Sequence, residues 1–98
     1  MIYRLIVKSL AENDIREILE WYINQSEYLP KKFLLELDSG FDTITKNPEY
    51  FQKRYNQIRV LFLNKFPYGL YYTIEEDIVF VHAVLHNKRN PLTGIKRV

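Results

Sequence analysis

Residues 78–85 read Ile78-Val79-Phe80-Val81-His82-Ala83-Val84-Leu85. A short run that is apolar almost throughout fits a strand covered on both faces, central in its sheet. Its alternation places Val79, Val81, Ala83 and Leu85 on one face, and Phe80, His82 and Val84 on the other, with His86 just past the end. Ala83 is small enough to let a helix approach closely, so its face is assigned to helices and the Phe80–His82 face is expected to stay open.

Working back from this strand, Glu75-Glu76-Asp77 is a tight turn and Tyr68 to Ile74 a second strand. Asn64 to Pro67 forms the preceding turn. Gln57 to Leu63 is a further strand, with Ile58, Val60 and Phe62 opposite Arg59, Leu61 and Leu63. Tyr50 to Tyr55 is either an edge strand or irregular. Beyond the central strand, Asn90-Pro91 and Thr93-Gly94 are breakers in a basic tail that starts at about residue 87.

The first half of the chain has a different period. Residues 2–8 are short and β-rich, a strand. Ser9-Leu10-Ala11-Glu12 fits a capping box, with Ser9 as the cap and Glu12 reaching back. Ala11, Ile15, Ile18, Leu19, Tyr22 and Ile23 then share one helical face. Trp21 lies beside that stripe and is expected to be partly buried. Asn24 to Glu27 ends the helix, and Pro30 suits the first turn of a second one. There Phe33, Leu37, Phe41 and Ile44 form an apolar stripe, and Gly40 within it marks a close approach to the first helix. Asn47-Pro48 stops the second helix. Tyr22, Phe33, Phe41, Phe62 and Tyr72 are read as core aromatics. The sum is an α+β domain, β-α-α-β-β-β, with a helical hairpin packed on one face of a largely antiparallel sheet. One domain spans residues 1–98.

Composition removes several function classes. No cysteine occurs, which excludes disulfides and thiolate metal sites, and two histidines are a poor basis for zinc. No cofactor or metal is expected. No apolar run approaches the roughly 18 residues of a membrane span, and no signal sequence is evident, so a soluble cytoplasmic protein is expected. P-loop, dinucleotide, HExxH and GxSxG patterns are absent from the sequence.

Charge is distributed unevenly. Residues 1–50 carry six Lys/Arg and nine Asp/Glu, a net of −3, whereas residues 51–98 carry eight and three, a net of +5. A basic half beside an acidic half points to an acidic or phosphate-bearing partner on one side. Within the basic half, Arg59 sits in an apolar strand and must find an anion, a carboxylate or solvent. His82, His86, Lys88 and Arg89 complete a basic and aromatic set. An open sheet face bearing such residues is suited to RNA or to a partner peptide.

The ordered motifs carry a resemblance. They are Ala11-x-x-Asp14-Ile15-x-x-Ile18 with Trp21-Tyr22, Phe33-x-x-x-Leu37, Asn47-Pro48, Ile58-Arg59, Phe66-Pro67-Tyr68-x-x-Tyr71-Tyr72, and Ala83-Val84-Leu85-His86-x-x-Arg89-x-Pro91. Over about residues 3–91 the chain resembles the RelE/ParE superfamily of toxins from type II toxin–antitoxin modules, in its ParE-like branch. That resemblance implies a growth-inhibiting, plasmid-stabilising toxin that a cognate antitoxin neutralises in a hetero-oligomer. A ParE-like member binds DNA gyrase and needs no catalytic set. Arg59, His82, His86, Lys88 and Arg89 would then contact target or antitoxin. A RelE-like member instead cleaves mRNA on the ribosome through attack of a ribose 2′-OH, which requires a base, an acid and cations. Arg59, Arg89, His86 and Lys65 would be its catalytic candidates. A third implied reading is an inactive protein-binding domain of the same fold.

Overall fold

The structure is a computed structural model that describes residues 2–98. Strand β1 (Arg4–Val7) leads into helix α1 (Ser9–Ile23) and helix α2 (Leu29–Lys46). Four strands follow: β2 (Lys53–Tyr55), β3 (Ile58–Phe62), β4 (Tyr68–Glu75) and β5 (Ile78–His86). A short helix α3 (Leu92–Ile95) closes the chain. The five-stranded sheet has the order β1-β5-β4-β3-β2. Only β1 runs parallel to its neighbour, β5; the other pairs are antiparallel. The α+β helical-hairpin fold is therefore as expected; of the two readings of residues 50–55 the edge strand holds, at Lys53–Tyr55, and a terminal helix is added.

The hairpin packs on one sheet face. Phe33, Leu37 and Ile44 from α2, with Ala11, Ile18 and Tyr22 from α1, bury against Leu61, Leu63, Leu70, Tyr72, Val79, Val81 and Val84. The rings of Tyr22, Phe33, Phe66 and Tyr68 meet largely edge to face at 5.4–6.3 Å, a favoured aromatic geometry. A second, smaller core lies on the opposite face, where Ile58, Val60, Tyr71, Ala83 and Leu85 are covered by Ile95 of α3. The tail is thus folded, and Thr93-Gly94 lies inside a helix instead of breaking one. Gly94 explains the close fit: a Cβ there would lie 2.9 Å from the Tyr71 ring and 3.3 Å from Leu85.

The expected face assignment of β5 holds for only half the strand. Tyr71 pairs with Ala83, but Tyr72 pairs with Val81, so His82 is an extra residue. Such a bulge reverses which parity faces inward. Val79 and Val81 face the hairpin as expected. Past the bulge Val84 does so, and Ala83 and Leu85 face α3.

Other expectations also change. Ser9 is inside α1, not its cap. The cap is Lys8, whose N–H donates to the Val81 carbonyl at 2.9 Å while its own carbonyl accepts from Glu12 N–H at 3.0 Å. The last residue of the ladder thereby starts the helix directly. Gly40 approaches the sheet and not α1, because a Cβ there would lie 2.9 Å from Leu70 and 3.3 Å from Leu63. Trp21 and Ile23 are exposed. Each is rotated about 100° from buried Tyr22 on the helix. Phe62 is not core: it is 44% exposed, with the Arg54 guanidinium 5.0 Å from its ring centroid.

Candidate functional site

The outward end of β5 faces the side of α1. Val7 is the last β1 residue paired to β5, at Val81, so the β5 edge beyond it lacks a neighbouring strand. Two side chains take the strand's place. Asp14 Oδ2 accepts from the Val84 N–H at 2.9 Å, and Arg97 Nη1 donates to the His82 carbonyl at 3.0 Å. The two are themselves bridged, Arg97 Nη1 to Asp14 Oδ2 at 2.6 Å and Nη2 to Oδ1 at 3.1 Å. This bidentate pair ties α1 and the tail to the central strand. The sequence shows Asp14 within the Ala11–Ile18 motif but not its pairing with Arg97. The available signal was spacing: Asp14 shares the buried line of Ala11, Ile18 and Tyr22, where a lone carboxylate requires a partner.

Beside the pair lies a cleft of about 160 Å³, bordered by Trp21, Ile18 and Glu17 of α1, Tyr68, His86 and Arg89. The His86 ring stands edge-on to Tyr68, with centroids 5.3 Å apart. His86 Nδ1 accepts from the Lys88 backbone N–H at 3.1 Å. A neutral His86 therefore carries its proton on Nε2. The turn from His86 to Arg89 is closed by Arg89 N–H donating to the His86 carbonyl at 2.9 Å. Among the described residues, the Lys88 and Arg89 side chains make no ion pair or hydrogen bond, and Trp21 is 60% exposed. Cations, an imidazole and an indole thus occupy one end of the molecule.

The remaining candidates lie elsewhere. Arg59 finds backbone carbonyls in place of an anion: Nη1 donates to Phe51 O at 2.6 Å and Glu49 O at 3.1 Å, holding the link between α2 and β2. Replacing it with alanine should cost about 1–3 kcal/mol through those unsatisfied carbonyls; a melting curve matching the parent would refute this role. Lys65 is in the β3–β4 turn, where its backbone N–H donates to Glu36 Oε1 at 2.8 Å. His82 is buried at the bulge and hydrogen-bonded to Thr73 Oγ1 at 2.8 Å. Of the sequence candidates, the cleft gathers His86 and Arg89.

Tyr22 and Tyr72 stay protonated at neutral pH. Tyr22 is pushed up to about 12 by burial and then by Tyr68, and Tyr72 up to about 12 by burial, against the Arg59 charge. The His82 pKa is lowered by burial first and by Lys8 second, while Glu75 opposes. A depressed histidine pKa favours protonation of the unfolded chain, so stability is full above the unfolded value near about 6.5 and falls as pH drops below it. His82→Gln should therefore flatten stability between about pH 7 and 5 relative to the parent. Parallel pH profiles for the two proteins would contradict this.

Among the described residues, no group of three or more His, Cys, Asp or Glu is placed to hold a metal ion, and no helix is long and apolar enough to cross a membrane. The family model described as ParE toxin of type II toxin-antitoxin system, parDE, matches residues 5–91. Two solved structures share the fold. A chain of the chromosomal ParDE TA system from P. aeruginosa has a TM-score of 0.77 at 11% identity, covering 87% of this chain and 96% of that one. A mutant of the E. coli toxin RelE in the free state has a TM-score of 0.71 at 18% identity, covering 100% of this chain and 99% of that one. Among curated protein sequences none is significantly similar to this chain.

Proposed function

Because the chain belongs to the ParE toxin family of type II toxin–antitoxin systems, we propose that it inhibits growth by binding an essential protein, DNA gyrase being the expected target, and that a cognate antitoxin neutralises it. The observation that carries this reading is the surface at the end of β5. There an exposed tryptophan lies beside His86 and Arg89. Exposed Trp and Arg side chains are the types that anchor protein interfaces. By contrast, Arg59 and His82 are engaged by backbone carbonyls and by Thr73. The basic end also complements an acidic antitoxin segment that orders on binding.

A second reading rests on His86. Its Nδ1 hydrogen bond orients the ring in the same cleft as Arg89. An imidazole and a guanidinium are two of the groups that ribosome-dependent mRNA cleavage would need.

Induced expression separates the two. Gyrase poisoning should give DNA damage and filamentation; mRNA cleavage should stop translation and leave cut transcripts. Arg89→Ala should relieve growth inhibition at least about tenfold in plating efficiency, with stability unchanged within about 0.5 kcal/mol, as for other surface substitutions. Full inhibition by that variant would place the contact surface elsewhere. Unimpaired growth on expression of the parent protein would overturn both readings.

A further inference from the structure

Glu17 is the acid of the β5 cleft that lies outside the Asp14–Arg97 pair. It is exposed one turn before Trp21 on α1, so carboxylate and indole stand side by side at the mouth of the cleft. Its Oε1 accepts from Asn13 Nδ2 at 3.3 Å. Among the described residues, no donor reaches Oε2 and no cation pairs with the carboxylate. The cleft is also bordered by Arg89 and the His86 ring, with Lys88 in the turn between them. His86 Nδ1 is taken by the Lys88 N–H, which leaves the Nε2–H to donate. One cleft of about 160 Å³ therefore presents an exposed ring face, a pair of acceptors and a set of anion-binding donors.

Each group selects part of a ligand. An exposed indole stacks on a flat ring. A carboxylate favours a ring edge with two adjacent N–H donors, which engage both of its oxygens. Guanine has such an edge, N1–H beside N2–H. Adenine and cytosine each offer one amino group next to an acceptor, and uracil one N–H between acceptors. His86 Nε2–H, Arg89 and Lys88 suit a phosphate. An arginine side chain also presents paired N–H groups, but its charge is repelled by Arg89 and Lys88. Guanine presents them uncharged. One nucleotide fits better than a nucleic-acid strand. Further phosphates would run onto α1, where Glu17 and Glu20 are exposed and Arg16 is engaged by Asn13.

We propose that the cleft between Glu17, Trp21 and Arg89 binds a guanine mononucleotide. The base stacks on Trp21 and donates N1–H and N2–H to the Glu17 carboxylate. Its phosphate is held by His86 Nε2–H, Arg89 and Lys88. Neither the ligand nor its site depends on the toxin reading above. A bound nucleotide covers Trp21 and Arg89, so it excludes a protein partner from that surface.

Trp21 is the sole tryptophan of the chain, so its fluorescence reads stacking directly. Titrating GMP into the full chain should quench it saturably, corrected for absorbance by the nucleotide, with a Kd on the order of 0.1–1 mM. AMP should bind at least about fivefold more weakly, through loss of the paired contact to Glu17. Guanosine, having no phosphate, should bind at least about tenfold more weakly. Glu17→Gln should abolish the preference for GMP over AMP, and Arg89→Ala should reduce the preference for GMP over guanosine. Both side chains are exposed, so both variants should keep the melting curve of the parent. The proposal is overturned by an absence of saturable quenching, by equal affinities for GMP and AMP, or by an unchanged preference in Glu17→Gln. Tighter binding of the oligoribonucleotide UUGUU than of GMP would overturn the mononucleotide and give the cleft to RNA. Tighter binding of acetyl-Arg-Asp-amide would overturn it in favour of a peptide. Growth inhibition does not enter this assay, so its failure leaves the toxin reading standing.

Discussion

Arg97→Met should destabilise the protein by about 3–5 kcal/mol, the range for breaking a buried ion pair from one side. Asp14 is 5% exposed and the Arg97 side chain 15%, so removing the guanidinium leaves a carboxylate with little access to water. The His82 carbonyl loses its donor as well. For a domain of this size the melting temperature should fall by more than about 10 °C. The reciprocal change, Asp14→Leu, strands both Arg97 and the Val84 N–H. The double variant should recover much of the loss, because the charges disappear together. It should not recover all of it, since Val84 still lacks an acceptor. A thermal melt of Arg97→Met within about 1 kcal/mol of the parent would contradict the pair's structural role.

Phe33→Ala should cost about 3–5 kcal/mol, as other large-to-small changes at buried aromatics do. Phe33 is fully buried, and its ring meets those of Tyr22, Phe66 and Tyr68 at 5.4–5.8 Å. These rings join α1, α2 and the start of β4, so the cavity would open where hairpin and sheet meet. Phe33→Leu keeps much of the volume and should lose less than half as much. Urea unfolding read by fluorescence and by far-UV circular dichroism would check both. Equal costs for the two variants would mean that packing at this position is not what matters.

A hydrophobic pattern reveals burial only where its apolar and polar positions differ. Phe33, Leu37 and Ile44 repeat with Phe41 at helical spacing, so their burial is legible even though Leu34 and Leu35 interrupt the polar face. The run from Ile78 to Leu85 is apolar at both parities, so an inserted residue leaves no mark in the pattern. The bulge at His82 was therefore invisible, and with it the inward turn of Val84. Asp14 is visible as part of a motif, but its burial is masked for the opposite reason. Ile15 next to it also fits the apolar stripe, so the pattern reads Ile15 and not Asp14 as the inward residue. In the tail, Asn90-Pro91 and Thr93-Gly94 are ordinary turn signals. Here Pro91 instead starts a short helix, and Gly94 lets it settle on Tyr71. Of the candidate site, residue types were legible, but convergence was not. Only the folded chain separates Arg59 and Lys65 from the cleft that joins His86 to Arg89.

The parallel pairing of β1 with β5 sets the order in which this chain can fold. Arg4 pairs with Ile78, and Asp14 meets Arg97 across 83 residues. The α1–α2 hairpin and the β3–β4–β5 meander use far shorter loops, which close at lower entropic cost. Those parts should be formed in the transition state, with the β1 docking and the tail following. Arg97→Met should then accelerate unfolding and leave the refolding rate almost unchanged, a low φ-value. The pair between α1 and the tail would act as a brake on unfolding, setting the lifetime of the folded protein and not the speed of its assembly.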